Sequence, residues 1–441
     1  VRGAVVRQTG LGLVLPSLPS NQEMYMVARY LCLWLLLVPS ATAQLRPDTI
    51  SLQALIQEAL EANPALQASR LAAQAQRTRS VQARAWPDPA LEIGYRPLAL
   101  GGLDGAVPAS FMLMQEVPFP GKKALESEAA RLEAEAMTYE AASQALKLVY
   151  ALRTTYYELY RLAETRRLIE AFWERLAAFA EAATVRYEVG QESQAAVLRL
   201  QLERHSLTQQ LLALKEAWQA QFANLRQLTG RIDWPDTVAL EAPALPTALP
   251  TAAIEEALRR HPEALALAFR EQQARTELRR ARREYWPDLV LGVGLMDMMN
   301  TPVTPLQDLG PRLGIRLGVV LPVQRPRRAA YIEETQLNAQ RWAAQYTDLR
   351  NQLTSRFAAL QSQFAAAQAS LTLLEQTLLP AGRTTRESLL SAYTTGQASY
   401  LELLDAERAL FELELQRLET FTRLLVMAAE ADMVLGLLPQ P

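Results

Sequence analysis

The chain spells out one pattern twice. Trp86-Pro87-Asp88 returns as Trp286-Pro287-Asp288, and Asn63-Pro64 has a partner in His261-Pro262. Tyr187 and Gly190-Gln191 have partners in Tyr393 and Gly396-Gln397. The order is kept, and each pair lies roughly 200 residues apart, far beyond the roughly 20–50-residue periods of solenoids and propellers. The chain is therefore a duplicated half. Each half reads helix, strand pair, very long helix, tight turn, helix.

The period of the apolar residues switches along each half. Leu52, Leu55, Ile56 and Leu60 form a helical stripe over residues 51–62. Asn63 then caps a helix that carries Pro64 at its first position, where a missing N–H costs nothing. After Trp86-Pro87-Asp88 the pattern becomes two-residue alternation. Leu91, Ile93 and Tyr95 alternate with Glu92, Gly94 and Arg96; Phe111, Leu113 and Val117 alternate with Ser110, Met112, Met114 and Glu116. The second half is cleaner. Leu289, Leu291, Val293 and Leu295 are interleaved with Val290, Gly292 and Gly294, and Leu313, Ile315, Leu317, Val319 and Leu321 with Gly314, Arg316 and Gly318. Four strands are expected, at about 89–97, 109–117, 288–297 and 312–321. Their length of about 9–11 residues is that of a transmembrane β-strand. A soluble sheet with one buried face would alternate in the same way. Four strands cannot close a barrel, which needs about eight, whereas three copies would supply about twelve.

Residues 121–188 contain neither proline nor glycine after Gly121, and good helix formers dominate. At 1.5 Å per residue such a helix is about 100 Å long. Its match runs from about 327 to 394, interrupted only at Pro380-Ala381-Gly382. Gly190 and Gly396 end the long helices, and return helices follow over about 193–228 and 399–435. The proline-rich stretch 230–251 separates a first repeat, 44–229, from a second, 252–441. The fold class is mainly α with a small β part.

Residues 1–43 read as upstream residues plus a signal peptide. Arg29 supplies the positive charge, 30–38 the apolar stretch, and Ala41-Thr42-Ala43 a small-residue cleavage site, with Met24 or Met26 as the natural start. Cys32, the only cysteine, lies in this stretch and outside any lipoprotein cleavage box. A formal charge of -2 gives no basic stripe for nucleic acid.

Taken together these residues resemble the TolC family of outer membrane efflux channels. The resemblance is carried by the doubled Trp-Pro-Asp and by Gln115-Glu116-Val117-Pro118-Phe119-Pro120-Gly121-Lys122. It is carried further by Arg186-Tyr187-Glu188-Val189-Gly190-Gln191 and by Ser391-Ala392-Tyr393-Thr394-Thr395-Gly396-Gln397-Ala398-Ser399 with Leu403-Leu404-Asp405-Ala406. It implies a homotrimer whose twelve strands form one outer membrane barrel, continuous with an α-helical periplasmic tunnel. Tyr187, Val189, Gly190, Gln191, Tyr393, Thr395, Gly396 and Gln397 would form the tip that docks a periplasmic membrane-fusion adaptor, which engages an inner-membrane efflux pump.

No catalytic constellation and no cofactor motif is visible, so the chain reads as a passive duct and not an enzyme. His205 sits in a charged stretch and His261 at a helix start; two histidines build no metal cluster in one chain. Asp405 lies about nine residues past the tip turn, roughly 14 Å along its helix. In the family, acidic residues near this point constrict the tunnel, and a ring of Asp405 would select cations. Glu402 shares its face, and Arg199, the first-half equivalent, could pair with Asp405 and hold the tip closed. Met112, Met114, Met296, Met298 and Met299 invite a soft-metal reading, although methionine also fills irregular gaps. The alternative function is a soluble periplasmic coiled-coil adaptor.

Overall fold

A computed structural model describes residues 50–95, 109–190, 192–231, 239–250, 254–296 and 312–438. The expected signal peptide, Cys32, Gln191, Met298 and Met299, parts of the linker and the loop ends of two strands lie outside them. In chain order the elements are α1 (Leu52–Ala62), α2 (Pro64–Arg84), β1 (Ala90–Tyr95), β2 (Ala109–Val117), α3 (Lys122–Glu188) and α4 (Gln194–Thr229). Then come α5 (Ile254–Arg260), α6 (Pro262–Arg283), β3 (Asp288–Met296), β4 (Arg312–Val320), α7 (Arg325–Leu373), α8 (Leu379–Thr394) and α9 (Tyr400–Val434).

The strands form one antiparallel sheet in the order β1-β2-β3-β4. Each strand continues into a helix or out of one, so α2, α3, α6 and α7 lie side by side in the same order. The upper part of α3 packs through small buried residues, Ala129, Ala134, Ala136 and Ala141, which let neighbouring helices approach closely. Lower down the buried residues are large: Leu152, Tyr156, Leu159, Phe172 and Leu176. There α3 packs against α4 and α9 instead.

Midway, α1 buries Leu55, Ile56 and Ala59 against Leu152 and Tyr156 of α3, Phe222 and Leu225 of α4, and Leu425 of α9. The Tyr156 hydroxyl lies 3.0 Å from the Ile50 carbonyl and 2.8 Å from that of Glu241. Burial raises its pKa to about 12, so it stays a donor. The duplication is visible in the packing here. Asn63 accepts the Leu66 N–H at 3.0 Å as N-cap of α2 and donates to the Leu228 carbonyl at 2.8 Å. His261 takes the same place before α6, its buried ring set against the backbone of Met433 rather than capping its own helix. Gly230 and Gly436, both at positive φ, end α4 and α9 against these two positions; a Cβ on either would lie 3.1 Å from the facing backbone.

The second long helix departs from its sequence pattern. The interruption is not Pro380-Ala381-Gly382, which lie inside α8, but a π turn at Leu374–Leu378 just ahead of them. Pro380 has no N–H to give the preceding turn and its ring crowds that carbonyl. A π turn, with its one extra residue, shifts the bonding so that the helix continues.

Candidate functional site

One face of the sheet is apolar from edge to edge apart from Gln115, which pairs with Leu291. The pairing sets Leu91, Leu113, Val293 and Ile315 in one row and Ile93, Phe111, Leu295 and Leu313 in the next. Leu291 with Leu317 and Leu289 with Val319 extend it. All of these are exposed, Leu317 at 77%. A patch this continuous marks a surface meant for lipid or protein. The opposite face carries Glu92, Ser110, Met112, Met114, Glu116, Gly292, Gly294 and Arg316. It is closely curled: a Cβ on Gly294 would sit 2.1 Å from the Phe111 carbonyl oxygen, and one on Gly292 2.5 Å from the Met114 sulfur. Arg316 Nη1 reaches Glu92 Oε2 at 3.3 Å across this face, from β4 to β1. Met112 is buried against Gly292 as packing. Among the described residues no group of three or more His, Cys, Asp or Glu could hold a metal, and no helix is long and apolar enough to cross a membrane.

At the far end two helical hairpins, α3–α4 and α8–α9, turn through Gly190 and Gly396 at φ 74° and 75°. Neither glycine has any atom within 4 Å of where a Cβ would stand, so both are required by backbone conformation alone. Ser193 and Ser399 cap the return helices. Glu402 completes a capping box: its carboxylate accepts the Ser399 N–H at 2.7 Å, and these hydrogen bonds hold its pKa below the usual carboxylate value. Tyr187, Val189, Gly190, Thr395, Gly396 and Gln397 are exposed at the turns. Tyr393 is not: it is buried between the hairpins, with Arg186 4.8 Å above its ring and Tyr400 6.0 Å away.

Asp405 and Arg199 are both exposed, and no ion pair joins them among the described residues. The ion pair that does link α4 to α9 is Arg408 with Glu203. Sequence reasoning missed Glu407. It is 1% exposed, 3.1 Å from Arg175 Nε of α3 and 3.2 Å from Arg386 Nε of α8. The signal was there: Glu407 falls on the stripe Tyr400, Leu403, Leu404, Leu410, Phe411 that α9 buries, where only a paired carboxylate is tolerated. His205 is exposed on α4.

Residues 55–231 match the family of outer membrane efflux proteins. No curated protein sequence matches the chain. Among solved structures, the outer membrane protein VceC of Vibrio cholerae is 20% identical, with a TM-score of 0.71 over 87% of this chain and 96% of its own. The outer-membrane channel OprN is 17% identical, with a TM-score of 0.75 over 87% of this chain and 89% of that one. The open-state MtrE outer membrane channel of Neisseria gonorrhoeae is 20% identical, with a TM-score of 0.73 over 88% and 89%. The first repeat thus carries the match to the outer membrane efflux protein family, and the fold across both repeats is that of the solved outer membrane channels.

Proposed function

We propose that three copies of this chain form the passive exit duct of a tripartite efflux or secretion system in the outer membrane of a Gram-negative-type bacterium. The observation that carries this is the sheet: one exposed face that is apolar apart from Gln115, a polar and glycine-rich opposite face, and two open edges. An open edge invites another strand, and four strands per copy are too few to close alone. Twelve strands would wrap into one barrel with the apolar face in lipid, and α2, α3, α6 and α7 would carry its wall into the periplasm. The turns at Gly190 and Gly396 would then be the tip that meets a membrane-fusion adaptor, with an inner-membrane pump supplying the energy.

Asp405, exposed near that tip, would form a threefold carboxylate ring, with Arg199 on the neighbouring hairpin and Glu402 one turn earlier holding the start of the helix. The test is single-channel recording of the purified protein in planar bilayers. The expected result is a cation-preferring pore whose preference weakens in Asp405→Ala. A protein that stays monomeric and silent without detergent sinks the duct reading; a conducting pore indifferent to Asp405→Ala removes only the ring.

A further inference from the structure

Where the two repeats meet within the chain, the strand-to-helix turns are clasped. Lys122, buried in the first turn of α3, places Nζ 2.9 Å from both carboxylate oxygens of Asp288 and 3.0 Å from the Trp286 carbonyl. The same carboxylate accepts the Phe119 N–H at 2.6 Å. The Phe119 ring stacks on Trp286 at 4.9 Å, and Arg283 donates to the Pro120 carbonyl at 2.7 Å. The clasp joins the end of β2 to the start of β3 and fixes their register, Val117 opposite Leu289.

The two halves of a second such clasp stand at the outer edges of the chain. Trp86-Pro87-Asp88 leads into β1 as Trp286-Pro287-Asp288 leads into β3. Pro322 follows β4 as Pro118 follows β2. On the long helices, buried Leu152, Thr155, Leu159, Leu162 and Ile169 of α3 match in order and spacing Phe357, Leu360, Phe364, Ala367 and Leu374 of α7 and the π turn. Carried back to the helix start, that correspondence sets Arg327 against Lys122. Asp88 and Arg327 are both exposed, and neither has an ion-pair partner among the described residues. They flank β1 and β4, the two open edges of the sheet.

We infer that the β4–α7 edge of one copy closes on the α2–β1 edge of the next by this same clasp, with Arg327 ion-paired to Asp88 of the next copy. The inference rests on the ring of copies proposed above and names the contact that closes it. The partner is a second copy because both complementary halves lie in one chain, on opposite edges, so identical copies continue the series until it closes. Arginine in place of lysine offers a longer, forked donor, which suits the one extra residue between Pro322 and Arg327.

The register follows from the internal template. Val117 corresponds to Leu321 and Leu289 to Pro89, so Val319 faces Leu91 and Leu317 faces Ile93 of the next copy. Both pairs are aliphatic and belong to the exposed face of the sheet. Gly318 then faces Glu92, and Arg316 stands diagonal to it, so the attraction between Arg316 and Glu92 seen within the chain is kept across the interface. A slip of one residue would put aliphatic side chains on the polar face, which the pleat forbids.

The experiment uses the full chain with Cys32→Ser. Leu91→Cys with Val319→Cys, oxidised, should give a non-reducing ladder ending at three linked copies; Leu91→Cys with Gly318→Cys should give none. Separately, Asp88→Arg or Arg327→Asp alone should lower the temperature at which the trimer dissociates in detergent, and the double exchange should recover it. If light scattering shows a trimer that neither links at this pair nor is rescued by the exchange, the clasp is wrong while the duct reading stands. If every detergent yields monomers, the ring itself fails and the clasp with it.

Discussion

The two return helices, α4 and α9, leave equivalent turns from equivalent serine caps and have nearly the same length, 36 and 35 residues. Yet α4 buries six of its side chains and α9 fifteen. The difference lies in their neighbours. α4 packs mainly on α3, whereas α9 lies against α3, α7 and α8 together. α4 therefore leaves Leu198, Leu202 and Leu212 in the open, Leu202 at 70% exposure, while α9 buries even a carboxylate. Duplication sets the elements, and packing decides which copy of an element becomes interior.

The largest effect expected from this contrast is at Glu407. Replacing it with alanine leaves two guanidinium groups facing an apolar gap. Breaking a fully buried pair costs about 3–5 kcal/mol. Arg175 and Arg386 are 34% and 30% exposed and can turn toward water, so the loss should be nearer about 2–3 kcal/mol. Glu203→Ala, which breaks the pair with Arg408 on the α4 side, should cost less than about 1 kcal/mol, as for exposed pairs. Denaturant midpoints of the two variants give the comparison; equal losses would mean that α9 is no more interior than α4.

The strands, the long helices and the tip turns were legible in the sequence because each has a local signal: period-two alternation, an absence of breakers, a glycine at positive φ. The π turn was not. Pro380 announces trouble but not whether a helix will end, kink or insert a residue, since that depends on what holds the two segments in line. Tyr187 and Tyr393 look equivalent in sequence, yet Tyr187 is 42% exposed and Tyr393 only 7%. Which of two matched residues faces inward is set by the packing of α8 and α9 on α3, outside the reach of either local pattern. For the same reason the apolar stripe of α3 blurs when averaged along its length, because its neighbours change halfway.

A smaller effect separates the sheet end from the tip. Gly121, at φ 87°, lies beneath Arg283, and a Cβ there would sit 1.6 Å from Nη1. Gly121→Ala must therefore pay backbone strain of about 1–2 kcal/mol and also displace Arg283 from the Pro120 carbonyl. Gly190→Ala and Gly396→Ala meet only the backbone term, because nothing stands near either position. Proteolysis at the hairpin tips and thermal unfolding of the whole chain should diverge accordingly. The tip variants should be nicked faster with little change in the global midpoint, and Gly121→Ala should lower the midpoint. A midpoint unmoved in Gly121→Ala would show that the junction tolerates the loss of its arginine contact.

The smallest effect is the most diagnostic of how the repeats differ. Asn63 and His261 hold the same place, each set against the end of its own return helix, but only the imidazole titrates. Burial lowers the His261 pKa, although the Met433 backbone and Glu263 partly oppose the shift. An unfolded histidine titrates near 6.5. The unfolded chain thus takes up its proton first as the pH falls, and the stabilisation, fully present above about 6.5, is lost as pH drops through that value toward the lower folded pKa. Glu263, held below its usual value despite burial by its hydrogen bond to Lys147, loses its contribution only in a more acidic range, below about 4.5. His261→Asn puts the first repeat's solution into the second. It should keep the contact to the α9 terminus and flatten the change in unfolding midpoint between pH 7.5 and 5.5, leaving the midpoint at pH 7.5 nearly where it was. The same slope in both proteins would mean that another group carries the pH response and that the two positions are equivalent in charge as well as in place.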